Sequence, residues 1–469
     1  YKRQAMIKLC DKYIPDNQPQ TTILGELHHA IKENLISPDH KFDDLGNAEK
    51  FSTWCFNLEY KEIPNEVIDK IKLIFMDSLG LIFASRNEDY IKAIKQSFTD
   101  SGNCTVPGHL EKLCPSDAIM LNGTAIHGED FDDTFEGTPV HVGSVMCSSL
   151  LTAAEYYKLK PKEILKGLAV GSELMCRLAL VSPMAIHKQG FHPTAILGAF
   201  GASIGISKIL KNSVLQTTSS LGIVGSMASG IIEYLAEGTW TKRLHPGWAG
   251  ASGWKSAHLG KNNFKGPRTV FEGKNGIFNS FADSKIIPDF KKLTDDLGSY
   301  WHTNNLAIKP FACGTMTQPF IDCAIKAREK INDLNEIKSI ICKVGEGTVH
   351  RLWEPLSEKR KPTTPYSAKF SVPFCIAVGL YFGKAGLLEF TEEQIKNRKI
   401  LNLCSKISYE IDPQNEYPKN YSGEINIILK NSQVIQETQP GLRGGKLFPL
   451  DEKEAVSYTH LTLPTKRIV

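Results

Sequence analysis

Thr194 to Leu210 reads TAILGAFGASIGISKIL, and whether its glycines cradle a phosphate or let helices touch decides the fold. Gly198, Gly201 and Gly205 recur at three- and four-residue spacing, which puts them on one face of a helix. A dinucleotide-binding loop needs G-x-G-x-x-G directly after a strand. This stretch has neither, so it predicts a helix that packs closely in a mainly α protein. Gly222, Gly225 and Ser229 repeat the pattern in the next segment. Leu215 to Leu235 is the most apolar region, but Gln216, a Thr/Ser run, three glycines and Glu233 interrupt it. It therefore predicts a buried helix pair, not a membrane span.

Upstream, Ile68, Ile71, Phe75, Leu79 and Ile82 mark an amphipathic helix from Pro64 to Ser85, with the proline suited to its first turn. Ala118, Leu121, Ala125 and Gly128 mark another. Helices dominate to about residue 285. After about residue 300 the texture changes. Ile337 to Val344, Lys406 to Ile411 and Glu424 to Leu429 show β-branched or period-two runs, and Tyr366 to Phe382 reads as a helix between them. This part is a smaller α+β domain.

With 469 residues, 41% of them hydrophobic, the chain has room for two to three domains and a substantial core. Its formal charge of +4 comes from 55 basic and 51 acidic residues without a basic arm, so nucleic acid is not an expected partner. No membrane is expected either. Eleven cysteines are scattered with no C-x-x-C spacing, and no secretory signal is evident. Reduced thiols in a cytoplasmic protein follow, without an iron–sulfur cluster or a structural zinc site.

Chemistry concentrates in NGTAIHGEDFDDTFEGTPVHVGS, residues 122–144, where Asp130, Asp132, Asp133 and Thr134 fall as a helix ends and a loop begins. Three further clusters are Gly190-Phe191-His192-Pro193, TKRLHPGW at 241–248 and Lys309-Pro310-Phe311-Ala312-Cys313. Two lysines, Lys242 and Lys309, supply fixed positive charge, and two histidines, His141 and His192, titrate near neutral pH. Such a set suits a polycarboxylate, because proton transfer next to a carboxylate needs an acid–base pair plus cations that stabilise the developing negative charge. Lysines in a partly desolvated cleft contribute on the order of several kcal/mol of that stabilisation. In this reading Lys242 and Lys309 clamp carboxylates, His141 or His192 moves the proton, and Asp130 orients its partners.

Each residue also has a plainer reading. Asp130, Asp132 and Asp133 can cap a helix, Thr134 can be a loop hydrogen-bonder, and His192 before its proline can be a satisfied core histidine. Lysines usually lie on the surface, although Lys242 and Lys309 sit amid apolar, Gly and Pro residues. His245, Trp248 and Cys313 read as structural, and His187, His258 and His302 have no motif support. Asp132, Asp133 and Glu136 also fit D-D-x-x-E, an oxygen set for magnesium in prenyl- or terpenoid-processing enzymes. No second motif of that type is present.

The order of DFDDT with its following histidine, GFHP, TKRLHPGW, GPRTVFEGKNGIF, IKPFACG and YSAKFSVPF resembles the MmgE/PrpD family over about residues 50–454. That family includes 2-methylcitrate dehydratase and cis-aconitate decarboxylase. The resemblance implies a large all-helical domain over 47–300, a smaller α+β lid over 301–445 and a truncated return to the helical domain over 446–469. It further implies a homodimer with a basic, cofactor-free and metal-free active site between the domains, for a lyase acting on a small tricarboxylate. By matching motif that site holds Asp130, Thr134, His141, His192, Lys242 and Lys309. Relatives often carry a tyrosine where this chain has Phe374, which removes a hydroxyl donor and raises the prospect of a catalytically inactive member. Epimerisation of an imino-dicarboxylate on the same fold is a further alternative.

Residues 5–46, including ILGELHHAIKENLISPDH, resemble a piece of the ornithine cyclodeaminase and mu-crystallin family. A junction of two neighbouring genes is the expectation there. The opening YKRQ and the tail SYTHLTLPTKRIV continue no local pattern and are left out of the fold reading.

Overall fold

Small residues govern how the helices meet. The structure, a computed structural model, describes residues 45–136, 138–450 and 454. The segment expected to be foreign lies outside these residues but for positions 45 and 46, as does the tail after residue 454. In the first part the helices of eight or more residues are α1 (Asn47–Asn57), α2 (Asn65–Ser85), α3 (Asp89–Ser97), α4 (Pro115–His127), α5 (Val142–Tyr157), α6 (Pro161–Val181), α7 (Pro193–Ile209), α8 (Val214–Gly225) and α9 (Thr241–Lys261). The chain is mainly α.

Every residue of α7 except Lys208 is buried, so the GAFGASIG helix is the centre of the bundle. A helix apolar on all sides has to be covered on all sides, and α5, α6, α8 and α9 do this. The glycine face works as its spacing predicts: Gly201 and Gly205 lie against the α6 backbone at Gly171 and Gly167. The closest approach joins α4 and α9, where a Cβ on Gly247 would stand 2.2 Å from the Met120 carbonyl oxygen. Backbone cannot yield there as a flexible side chain could.

One expectation fails in this region. Leu215 to Leu235 does not form a helix pair; α8 ends at Gly225, and only the turn Tyr234–Glu237 is helical beyond it. Gly230 adopts φ +139°, and the stretch pairs with the GFHP segment instead. The His192 amide donates to the Gly230 carbonyl (2.8 Å) and the Ile232 amide to that of Gly190 (3.0 Å). Extended pairing therefore replaces the second helix and fixes the backbone of His192.

The first part also carries short strands: β1 (Cys104–Thr105) pairs with β2 (Lys112–Leu113), and β3 (Thr134–Phe135) pairs with β4 (Leu306–Ala307). After residue 300 a four-stranded sheet forms from β5 (Ile337–Val344), β6 (Ile407–Ile411), β7 (Gly423–Leu429) and β8 (Val434–Gln439), in the order β6-β5-β7-β8. β5 and β6 are parallel and the other pairs antiparallel. Strict alternation of buried and half-buried residues along β7 shows one face on a core. Helix α10 (Gln318–Arg328) packs on β7, β8 and α11 (Val372–Phe382), and α11 packs in turn on α12 (Arg398–Ser405). The polar strand VIQETQ, β8, was not foreseen, because only Ile435 and Gln439 of it are buried.

The helix foreseen from Tyr366 to Phe382 is broken. Pro365–Ala368 makes one turn, then Ser371 starts α11 afresh by accepting from the Phe374 amide at 3.1 Å. Among the described residues no single helix is long and apolar enough to cross a membrane.

The α4–α9 contact gives the first prediction. Gly247→Ala forces the two backbones apart and should cost about 1–3 kcal/mol of stability. Thermal unfolding against wild type checks this, and an unchanged midpoint would show that the contact yields at no cost.

Candidate active site

The site begins where α4 ends. After His127 the chain turns through Asp130, whose φ of +54° lies in the left-handed region that aspartate tolerates better than most residues. That turn aims the buried Asp130 carboxylate at the Lys242 ammonium, with which it forms an ion pair. It also aims the Asp130 carbonyl at Lys309, whose Nζ donates to it at 2.9 Å. Lys309 lies 3.8 Å from Asp132 as well. The β3–β4 pairing, with Thr134 opposite Ala307, carries Lys309 there although it is 179 residues beyond Asp130.

The three aspartates divide their work. Asp132 accepts from His127 Nδ1 at 2.7 Å. Asp133 takes the amides of Gly143 (2.7 Å) and Val142 (3.1 Å) with its two oxygens and so caps α5. The capping reading therefore holds for Asp133, though for the helix that follows and not the one that ends.

Three helix starts converge at this point. His141 is the residue before α5, His192 the residue before α7, and Lys242 the second residue of α9. The unpaired amides at such ends carry partial positive charge, which adds to that of the lysines. The region is built to attract an anion. Asp130, Thr134, His141, His192, Lys242 and Lys309 all line one cleft of about 660 Å³. The sheet-bearing part lines it too, with Arg351, Tyr366 and Phe370 among its residues.

Burial and charge set the protonation states. Burial alone would raise the Asp130 carboxyl, but Lys242, Lys309 and His127 hold it far below the usual carboxylate range. Asp132 is likewise held low against burial, by His127 and His141. Asp133 goes the other way, to about 7, because burial and the neighbouring Asp132 outweigh its two amide hydrogen bonds. Lys242 is lowered by burial in spite of Asp130. Burial pushes His141 down to about 3, assisted by Lys309 and His127 and opposed by Asp132. His192 falls well below the ordinary histidine value through burial and His245.

The expectation that His141 and His192 titrate near neutrality is thus corrected: burial keeps both neutral. For His141 the tautomer follows from its partner. Nδ1 lies 2.8 Å from the Asp133 carbonyl, which can only accept, so Nδ1 carries the proton and Nε2 keeps its lone pair. His192 Nδ1 meets His245 Nδ1 at 3.2 Å, and the His127 ring lies 4.8 Å from that of His141 and 5.6 Å from that of His192.

Several residues that sequence reasoning passed over belong here. His127 lies inside the first motif but has no role in the sequence reading. His245, read as structural, backs His192. Tyr366 brings a hydroxyl to the cleft, raised well above its usual pKa by burial and by the Asp130 carboxylate. Its ring also lies 4.5 Å from the Arg243 guanidinium, which stacks at 4.2 Å on Tyr90 on its other side. Phe374 is corrected: it is fully buried, packs toward Phe390 and does not line the cleft.

The D-D-x-x-E reading fails on geometry. Asp133 is used up in capping, and Glu136 accepts from the Lys446 amide at 2.9 Å. Among the described residues the one set of three side chains close enough to share a cation is His127, Asp132 and His141, with ligand atoms within 4.8 Å of one another.

Residues 49–288 match the MmgE/PrpD N-terminal domain and residues 311–456 the MmgE/PrpD C-terminal domain. A cis-aconitate decarboxylase-like protein of Aspergillus oryzae is 25% identical over 424 residues, covering 86% of this chain and 87% of that protein. Human cis-aconitate decarboxylase is 26% identical over 426 residues, covering 87% and 85%. Separately, 44 residues are 48% identical to an uncharacterized cyclodeaminase of Sinorhizobium fredii, or 9% of this chain and 13% of that protein.

The buried imidazoles make stability depend on pH. His141, His187, His192 and His245 stay neutral in the fold below 6.5, their ordinary value, where the unfolded chain protonates them. The unfolded state then binds more protons, so these four groups lower stability as pH falls. Asp133 and Asp77, both raised by burial, act in the opposite sense. His109, His258, His302 and His350 are lowered as well and Glu88, Glu136 and Asp322 raised, so among the described residues eight histidines stand against five carboxyls and acidification leaves a net loss, at about 1.4 kcal/mol per pH unit for each uncompensated proton. Melts between about pH 7.5 and pH 5.5 should show a falling midpoint; one that holds or rises contradicts the neutral cluster.

Proposed function

This chain belongs to the MmgE/PrpD family, and on that premise we propose that it is a lyase acting on a small tricarboxylate by proton transfer next to a carboxylate. Either 2-methylcitrate dehydration or cis-aconitate decarboxylation is the type of reaction meant. The observation that carries this reading is the single cleft lined by Asp130, Thr134, His141, His192, Lys242 and Lys309. The large overlap with proteins named cis-aconitate decarboxylase agrees with it. In the same proposal residues 301–445 are an α+β lid over an all-helical domain of residues 47–300. The protein is a cytoplasmic homodimer and uses neither cofactor nor metal.

Lys242 and Lys309 then hold substrate carboxylates, Thr134 adds a hydroxyl, and Asp130 orients Lys242. His141 is the better candidate for base, because its Nδ1–H is engaged and its Nε2 lone pair is available. In dehydration Nε2 takes the proton from the carbon next to a carboxylate, the C–H electron pair forms the double bond, and hydroxide leaves as water with a proton from His192. In decarboxylation the C–C pair stays on carbon as carbon dioxide departs, and an imidazolium returns a proton to that carbon. The negative charge of a bound substrate raises the pKa of a histidine beside it, which lets the imidazole that gains the proton hold it.

Epimerisation of an imino-dicarboxylate is the second reading, favoured by the short cyclodeaminase match. It shares the deprotonation and omits the loss of a group. The inactive reading has lost its main support with Phe374.

His141→Gln should lower kcat by roughly 10²–10⁴. Incubation of wild type with cis-aconitate, 2-methylcitrate and an imino-dicarboxylate in heavy water, followed by mass spectrometry, separates water loss, carbon dioxide release and exchange. Exchange alone selects the epimerase, and no change with any of the three defeats the lyase reading.

A further inference from the structure

We propose that Arg351 holds the substrate carboxylate farthest from the reacting carbons and so sets a preference for acids with three carboxylates over acids with two. This rests on the polycarboxylate reading above. Arg351 lies in the short helix Glu346–Leu352 of the sheet-bearing part and lines the same cleft as the lysines. Its Nη2 lies 3.0 Å from Nδ1 of His187, which belongs to the helical part.

What distinguishes Arg351 is the kind of partner it has. Lys242 is paired with Asp130, Lys309 with the Asp130 carbonyl and near Asp132, and Lys359 donates to the Phe370 carbonyl at 3.2 Å. Among the described residues no carboxylate forms an ion pair with Arg351; its hydrogen bond goes to an imidazole. Burial, with Arg351 beside it, holds His187 to about 4, so that ring is neutral and its Nδ1 lone pair accepts. A neutral acceptor steadies the guanidinium without cancelling its charge.

The contact with His187 uses one nitrogen of the fork. A planar guanidinium offers two parallel N–H donors to one carboxylate, which a lysine cannot do. Two acidic side chains share this wall, Glu354 and Glu358, and both are exposed at its rim. Glu354 is already bonded by the Tyr409 hydroxyl and the Leu356 amide. Solvent screens them far more than it screens the buried end of the cleft. A substrate in this cleft thus has Arg351 available besides Lys242 and Lys309, with His141 and His192 lining the same space.

The test uses propane-1,2,3-tricarboxylate and methylsuccinate, two unreactive acids that differ by one terminal carboxylate, in calorimetric titrations of the full chain. Wild type should bind the tricarboxylate about 10- to 100-fold more tightly, the worth of one bidentate charged contact. In R351M that preference should disappear while methylsuccinate affinity stays within about 2-fold. R351K, which keeps charge without the fork, should retain part of it and carries the test alone if R351M does not fold. A wild-type preference in R351M, or in R351K, overturns the anchor. If wild type binds neither acid, the polycarboxylate reading itself fails, a result distinct from tight binding that ignores Arg351.

Discussion

Two ammonium groups 67 positions apart in sequence meet on one aspartate, and the cleft depends on that meeting. Lys242 arrives on the first turn of a helix, where the helix end is itself positive and a cation is unwelcome. Lys309 arrives two residues beyond β4, where the chain leads into its second part. Asp130 receives the first on its carboxylate and the second on its carbonyl, in a backbone conformation that few residues adopt. Removing one partner of a buried pair leaves an uncompensated charge, a loss of about 3–5 kcal/mol. The same residue that organises the charges therefore also ties the two parts together.

A second buried pair secures the crossing between those parts. Glu173 and Arg177, one helical turn apart on α6, are ion-paired at 2.7 Å and almost wholly buried. Arg177 donates to the carbonyls of Asp295 (2.6 Å) and Tyr300 (2.9 Å), while Glu173 accepts the amides of His302 and Thr303. Irregular backbone that would otherwise bury unmet polar groups is satisfied by two side chains of one helix. The path from α9 to β4 is thereby fixed, and Lys309 lies just beyond it.

How much of this was legible follows from what each signal measures. The helical class was readable because glycine spacing in α7 is local and the face it makes is used. The six residues that line the cleft were readable because each lies in a dense polar or basic cluster beside apolar sequence. The second half of Leu215–Leu235 misled, because apolar content does not distinguish a helix from a strand-like segment paired to a distant loop. Arg351 and Tyr366 carried no local mark, because their partners His187, Arg243 and Asp130 lie more than a hundred residues away, whereas His127 meets Asp132 only five residues on. Ionisation was the least legible property. A histidine's ordinary pKa says nothing of burial, and the same burial that lowers His141 raises Asp133.

Arg243 joins the two parts of the chain a second time. Its guanidinium lies 4.2 Å from the ring of Tyr90, in the helical part, and 4.5 Å from that of Tyr366, in the sheet-bearing part. One peptide unit separates it from Lys242, which pairs with Asp130. Displacing Tyr366 therefore strips a cation–π contact from the residue next to the one that holds the buried ion pair.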